Sequence, residues 1–379
     1  MYYNNFQEKK LSNLGFGAMR LPVIDGDSTN IDKELTAKMI AYAIDNGVNY
    51  FDTAWPYHGG NSELVVGELL KNYPRDSFNV ATKFPSFSPE NFQKKEEIFA
   101  KQLEKLQVEY FDFYLLHNVN DGNLGNFLNP EYGVVEYMVE QKKAGKIKHL
   151  GFSCHASNKN FLKFLDAYGD VMEFCQIQLN WVDWDFQDAK VKVEELQKRN
   201  IPIWVMEPIR GGKLATIPED LMEKLNAYRP GLNAPEWCFR FLQAIPGVTV
   251  ILSGMSNFEQ VEDNVRIFNT NEPVSDEERD LLFAVAKDYL GRTSLPCTAC
   301  RYCTGNCPQS IDIPTVIEYY NESAFIGSPS FQMISYINSL PEGMKPQDCL
   351  GCQACEGACP QNIEIAAMME KIQDMMAKK

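Results

Sequence analysis

A chain of 379 residues, 45% hydrophobic and 23% charged, has room for one large domain of about 250–300 residues plus a small one, or for two of middling size. Its net charge of −15 excludes a nucleic-acid footprint, and no run approaches the ~20 apolar residues of a membrane span. The opening MYYNNFQEKKLSNLG has no apolar core behind a basic start, so no signal peptide is expected and the chain reads as cytoplasmic, with reduced thiols.

From residue 11 onward, short β-rich runs alternate with longer amphipathic ones. LSNLGFGAMRLP (11–22), NYFDTA (49–54), FNVATKF (78–84), YFDFYLLH (110–117), HLGFSCH (149–155), CQIQLNW (175–181), IPIWVMEP (201–208) and VTVILSGM (248–255) read as strands. Their near-continuous apolar content suits a parallel sheet buried on both faces. Between them, segments such as 33–47, 62–73, 91–107 and 131–146 carry apolar residues at helical spacing, and several end in Gly or Asn. Eight strands each followed by helix predict a (β/α)8 TIM barrel. No GxGxxG follows the first strand, which weakens the open Rossmann alternative.

Barrel chemistry sits where strands run out at their C-terminal ends. There the sequence places Asp52, Tyr57 just beyond it, Lys83 and His117. Reducing a carbonyl by hydride needs a proton donor at the oxygen. Tyr57 serves if its pKa falls toward the working pH, as a neighbouring Lys83 cation would encourage; Asp52 would hold that cation, and His117 would orient the carbonyl or share the proton. Singly, each has a plainer use: a buried ion pair, a loop aromatic, a hydrogen-bonded histidine. Their joint occurrence at three neighbouring strand ends favours catalysis. FDTAxxY, ATK and LLH in this order resemble the aldo-keto reductases over about 290 residues. With the C-terminal cysteines, the chain resembles the subgroup carrying a two-cluster ferredoxin domain.

That resemblance implies nicotinamide contacts from Ser153 and Gln176, with Met206 where an aromatic often stacks on the ring. PIRGGKL (208–214) offers Gly211 and Gly212 for close backbone approach to a pyrophosphate and Arg210 as its charge partner. Gly254, Ser256, Gln260 and Asn264 fit the family's polar pattern after the eighth strand, but the basic residue that marks NADPH-specific members is missing. Trp55, Trp181 and Trp184 are expected to frame the substrate pocket, or else to pack the barrel top.

Eight of the eleven cysteines lie in two strings, CTACRYCTGNCP (297–308) and CLGCQACEGACP (349–360). Disulfides are improbable in a reducing compartment, and zinc ribbons use two Cys-x2-Cys pairs without the further cysteines seen here. The complete Cys-x2-Cys-x2-Cys-x3-Cys-Pro run is the bacterial ferredoxin pattern, in which the fourth cysteine serves the other cluster. One [4Fe–4S] cluster would take Cys297, Cys300, Cys303 and Cys359; the other Cys349, Cys352, Cys355 and Cys307. The insert between the strings is long enough for two helices.

The expected architecture is therefore an α/β (β/α)8 barrel over 1–290 and a small α-rich ferredoxin-like iron–sulfur domain over 291–379. The expected activity is reduction of a carbonyl or activated double bond of a small organic substrate, with two [4Fe–4S] clusters and NADP(H) or NAD(H). Met206 and the missing basic residue leave room for FMN instead, fed single electrons through the clusters. A redox-sensing binding protein on a retired barrel is a further alternative, disfavoured by retention of all four tetrad residue types. A ferredoxin or flavodoxin would suit as electron donor; neither nucleic acid nor membrane is expected as a partner.

Overall fold

The structure, a computed structural model, describes residues 1–292, 294–297 and 299–377. It divides into two compact units, Met1–Asp280 and Leu281–Lys379. In the first, β3 (Leu14–Gly17), β4 (Tyr50–Asp52), β5 (Asn79–Phe84), β6 (Phe111–Val119), β7 (Ile147–Cys154), β8 (Phe174–Gln178), β9 (Ile203–Met206) and β10 (Val248–Gly254) form a closed parallel barrel in the order β10-β3-β4-β5-β6-β7-β8-β9. All eight lie inside or across the runs expected from sequence. Their near-continuous burial follows from a filled interior on one face and a jacket of helices on the other.

The N-terminus departs from that reading. Residues 11–22 are not one strand: β1 (Tyr3–Phe6) and β2 (Lys9–Ser12) form an antiparallel hairpin, Asn13 breaks the run, and β3 begins at Leu14. Phe6 and Leu11 from this hairpin cluster with Tyr50, Phe113, Phe174 and Trp204. The hairpin thus plugs the N-terminal end of the barrel, where apolar side chains would otherwise meet water. Nothing in the local pattern of so short a segment signals a partner that comes from the whole ring.

Helix starts follow their local chemistry. Asp32, Asn233 and Asn257 cap helices Lys33–Asp45, Ala234–Gln243 and Phe258–Phe268 by accepting from backbone N–H groups at 2.9 Å. Gly67, in the helix Ser62–Leu70, permits an unusually close crossing: a Cβ there would lie 2.7 Å from the backbone of Leu106.

The second unit repeats itself. Each cysteine string runs through Cys-Pro-Gln and an Ile-acid-Ile triplet into a helix, Ile313–Ile326 after the first string and Ile365–Ala377 after the second. A further helix, Phe331–Ser339, completes the two expected in the insert. Ile311, Ile313, Ile317, Ile363, Ile365 and Met369 share one small core with Cys303 and Cys355. No helix among the described residues is long and apolar enough to cross a membrane.

One polar tie at the plugged end is open to test. Glu173 accepts from Leu150 N at 3.0 Å and Gln7 Nε2 at 2.8 Å, pairs with Lys142 Nζ at 2.6 Å and lies 3.3 Å from His149 Nδ1. Burial pushes its carboxyl up, but these partners outweigh it and bring the pKa down to about 2. A depressed carboxylate stabilises the fold fully above its unfolded value near 4.5 and loses that contribution as pH falls toward 2. Glu173→Gln should therefore lower barrel stability at pH 7 by about 1–2 kcal/mol, allowing for solvent screening at this half-buried site. The gap from wild type should close as pH falls below ~4.5. Urea unfolding followed by tryptophan fluorescence reads this, since all five tryptophans lie in the barrel unit; a pH-independent gap would reject the carboxylate tie.

Candidate active site

The adjacent strands β4, β5 and β6 carry Asp52, Lys83 and His117 to the same end of the barrel. Lys83 is 0% exposed, and its Nζ donates to Asp52 Oδ1 at 2.6 Å and to the Thr53 carbonyl at 2.8 Å. Tyr57 opens a short turn, Tyr57–Gly60, made sharp by positive φ at His58 and Gly59. The turn brings the phenol back over the strand ends: Lys83 Nζ lies 5.1 Å from its ring centre, and the His117 ring meets it edge-on at 5.9 Å. Phe87 covers His117 at 5.1 Å. The four side chains selected from sequence therefore meet in one place.

Electrostatics set their protonation. Burial acts against the Lys83 ammonium, but Asp52 and Tyr57 outweigh it and hold its pKa above the ordinary lysine value. Burial likewise lifts the Asp52 carboxyl, opposed by Lys83. The direction that governs the pair is Lys83's, because its ammonium has two oxygen acceptors within 2.8 Å. The Tyr57 phenol moves up, not down as expected: burial raises it, and the Lys83 cation only partly compensates. It is thus a neutral acid at pH 7. Burial, then Lys83, then His155 push His117 well below its ordinary value, so its imidazole is neutral too.

Around this group, Asp52 Oδ2, His117 Nδ1, Asn118 Oδ1 and Gln176 Oε1 are buried polar atoms without a hydrogen-bond partner. Clustered at these strand ends, such atoms are available to bond a ligand. Ser153 Oγ, on β7, accepts from Asn118 N at 2.8 Å and keeps its own proton to donate; Gln176 is its neighbour across the β7–β8 pair. A carboxamide, which both donates and accepts, fits Ser153 and Gln176. Met206, half-buried at the end of β9, touches Gln176 Nε2 through sulfur at 3.5 Å.

Other residues selected from sequence are engaged elsewhere. Arg210 is 3% exposed, and its Nε donates to Asp183 Oδ1 at 2.9 Å, inside a buried network with Gln178 and Asn180. Gly211 and Gly212 have φ of 63° and 96°, which glycine alone adopts freely. Gln260 Oε1 accepts from Ser256 N, Ser256 Oγ donates to the Arg20 carbonyl, and Asn264 Nδ2 donates to Ser253 Oγ. Trp181 is 2% exposed and donates to Cys238 Sγ, while Trp184 meets Phe241 edge-on. Trp55 lies under the Lys105 ammonium at 4.5 Å. Asn118, Glu207 and Arg20 were not selected from sequence. Asn118 and Glu207 sit at strand ends with φ of 55°, a left-handed conformation that no residue-type pattern reveals.

In the second unit, the cysteines gather around two hollows. Cys307, Cys349, Cys352 and Cys355 line one cavity of about 350 Å3, counted with its open mouth. Cys297, Cys300, Cys303 and Cys359 line another of about 300 Å3. Among the described residues, no three metal-ligating side chains converge on a single-ion site. Backbone geometry repeats as well: Ala299 and Arg301 of the first string and Gly351 and Gln353 of the second have positive φ, as do Ser310 and Asn362, two residues beyond each string. Four thiols around an apolar-walled hollow, wrapped by matching turns, fit a cubane cluster.

Comparison with known proteins agrees with this division. Residues 13–286 match the model of the aldo/keto reductase family, and residues 296–364 that of a 4Fe-4S dicluster domain. The NADH-specific methylglyoxal reductase of Escherichia coli (strain K12) is 26% identical over 329 residues, covering 73% of this chain and 95% of that protein. An uncharacterized oxidoreductase of Bacillus subtilis (strain 168), YqkF, is 24% identical over 304 residues, covering 72% and 92%. Two solved structures share the barrel fold. One is the holo form of a Bacillus halodurans aldo-keto reductase, with TM-score 0.61, 24% identity, and 76% of this chain and 97% of that one covered. The other is an aldo-keto reductase from Klebsiella pneumoniae in complex with NADPH, with TM-score 0.60, 20% identity, and 76% and 96% covered. With the family model spanning most of the barrel, the chain belongs to the aldo/keto reductase family of oxidoreductases, and a 4Fe-4S dicluster domain follows its barrel.

Proposed function

We propose that the chain reduces a carbonyl group of a small organic molecule, with Tyr57 as proton donor, and that its C-terminal unit holds two [4Fe–4S] clusters that relay electrons. The observation that carries the first part is the buried Asp52–Lys83 pair at 2.6 Å beneath Tyr57 and beside His117. When bound, a nicotinamide supplies hydride and a cluster supplies single electrons. The chain's own residues do the rest. The neutral Tyr57 phenol delivers its proton to the carbonyl oxygen as negative charge builds there. Lys83, held by Asp52, steadies the phenolate left behind, and the neutral His117 imidazole offers a hydrogen bond that orients the carbonyl. Ser153 and Gln176 would hold the nicotinamide carboxamide. The Escherichia coli relative is NADH-specific and the Klebsiella pneumoniae structure holds NADPH, which leaves both nicotinamide forms in play. Met206, in place of a stacking aromatic, keeps an FMN-containing reductase as the second reading. Hydride carries two electrons and a cubane one, so a relay needs at the barrel mouth either a flavin or a substrate able to accept single electrons. Cofactors released on denaturation of anaerobically purified protein separate the two.

Tyr57→Phe should lower carbonyl reduction by about 10²–10⁴-fold while leaving dinucleotide affinity near wild type. Unchanged turnover would remove the tetrad from the mechanism. Lys83→Met should also abolish most reduction, but it leaves Asp52 buried and unpaired, at a stability cost of about 3–5 kcal/mol, so its melting temperature must be measured alongside.

Anaerobic protein should contain about eight iron and eight acid-labile sulfide per chain. Cys307→Ala should damage the cluster held mainly by the second string, read by electron paramagnetic resonance. Loss confined to the first-string cluster would reject crossed ligation, and zinc without sulfide would reject the clusters altogether.

A further inference from the structure

The two cysteine strings and the residues that follow them are two copies of one pattern, so matched positions show where the copies differ. Their hollows are much alike, about 350 and 300 Å3, with walls that include the matched pairs Gln309 and Gln361, Ile311 and Ile363, and Ile317 and Met369. Charge is where they part. Arg301, between the second and third cysteines of the first string, lines the hollow of Cys297, Cys300, Cys303 and Cys359, and its Nη2 donates to Asp312 Oδ1 at 2.8 Å. Gln353 holds the same place in the second string and lines the other hollow, while the residue matching Asp312 is Glu364. The backbone at the two positions is alike, with φ of 65° at Arg301 and 58° at Gln353. Just past the third cysteine the first string has Thr304 and the second Glu356. Glu356 Oε1 accepts from Ala366 N at 2.7 Å, and Ala366 lines the second-string hollow. Lys345 and Asp348, shortly before Cys349, offset each other in sign. The first copy thus sets one guanidinium against one carboxylate, whereas the second has two carboxylates at the matched positions and no cation.

From this asymmetry we infer that the two clusters are unequal electron acceptors: Arg301 makes the one held by Cys297, Cys300, Cys303 and Cys359 the easier to reduce, so an electron that a one-electron donor delivers to the other cluster passes on to it. The inference rests on the cluster reading above. In that transfer one cluster loses the electron and the other gains it; no bond breaks and no proton moves. Reduction adds one negative charge to a cluster. A cation beside the hollow favours the more negative product, and carboxylates without a cation oppose it. Cluster type, hollow size and apolar lining are shared by the two copies, which leaves charge as the influence that separates them. Arg301 is more than half exposed, so water and salt screen it and the effect is modest. A tenfold preference, ~59 mV for one electron, is the size expected.

The test is anaerobic potentiometric titration of the full-length protein in low salt, followed by electron paramagnetic resonance, with iron and acid-labile sulfide measured on every sample. Wild type should reduce in two separate one-electron steps. Arg301→Gln should lower the higher midpoint by about tenfold in equilibrium constant, ~59 mV, and leave the lower one in place. Gln353→Arg should raise the lower midpoint and leave the higher one, because the matching left-handed backbone already carries an arginine in the first string. The double variant, which exchanges the two residues, should bring the midpoints together, and Arg301→Lys should keep them near wild type. Coincident midpoints in wild type, a shift of the lower midpoint in Arg301→Gln, or midpoints unmoved in both single variants would overturn the inference. Wild type lacking iron and sulfide defeats the cluster reading itself, and the inference with it.

Discussion

Pairing of β10 with β3 is the constraint on which the first unit depends. Ile251 N donates to the Asn13 carbonyl at 2.7 Å, and the register then runs from Ile251 opposite Leu14 to Gly254 opposite Gly17. Without this seam the sheet would have two open edges and a splayed mouth. With it, strand ends from both halves of the chain surround one opening. The seam also leaves an apolar hole at the far end, which the β1–β2 hairpin fills with Phe6 and Leu11. Closure and plug together give the rigidity that holds Asp52, Lys83 and His117 at fixed distances.

That rigidity matters most for the buried pair of Asp52 and Lys83. Placing an ammonium and a carboxylate where water is excluded costs several kcal/mol each, and their attraction repays this only with good geometry. Such a pair is poor value as a source of stability. Its worth lies in what it does to its neighbours. Lys83 opposes the upward push of burial on the Tyr57 phenol and, with burial, keeps His117 neutral. Beneath it, Gln102 donates to the Lys83 carbonyl at 3.0 Å and to Glu63, which pairs with Lys105 at 2.7 Å. The strand carrying the lysine is thereby anchored to the surrounding helices.

The second unit is built on a different constraint. Its core is shared between two copies of one pattern, with cysteine side chains among the core residues themselves. Matching left-handed residues in the two strings turn the backbone around each hollow.

By itself the sequence determined the alternation of strand and helix, because side chains buried on both faces of a parallel strand must be apolar throughout. It also determined the tetrad and the cysteine strings, because each is carried by residue types at short spacing or at strand ends. Tertiary structure alone decided what depends on long-range approach. The hairpin plug answers a hole that exists only once the ring has closed. Arg210 looked available in its glycine loop, but Asp183 arrives from the turn after β8 to engage it. Tyr57 was expected to become more acidic beside Lys83; burial, which no local pattern measures, reversed the direction. Arg20 reaches Gly254 and Gly211 only because closure sets the first barrel strand beside the last, and no spacing along the chain encodes that contact.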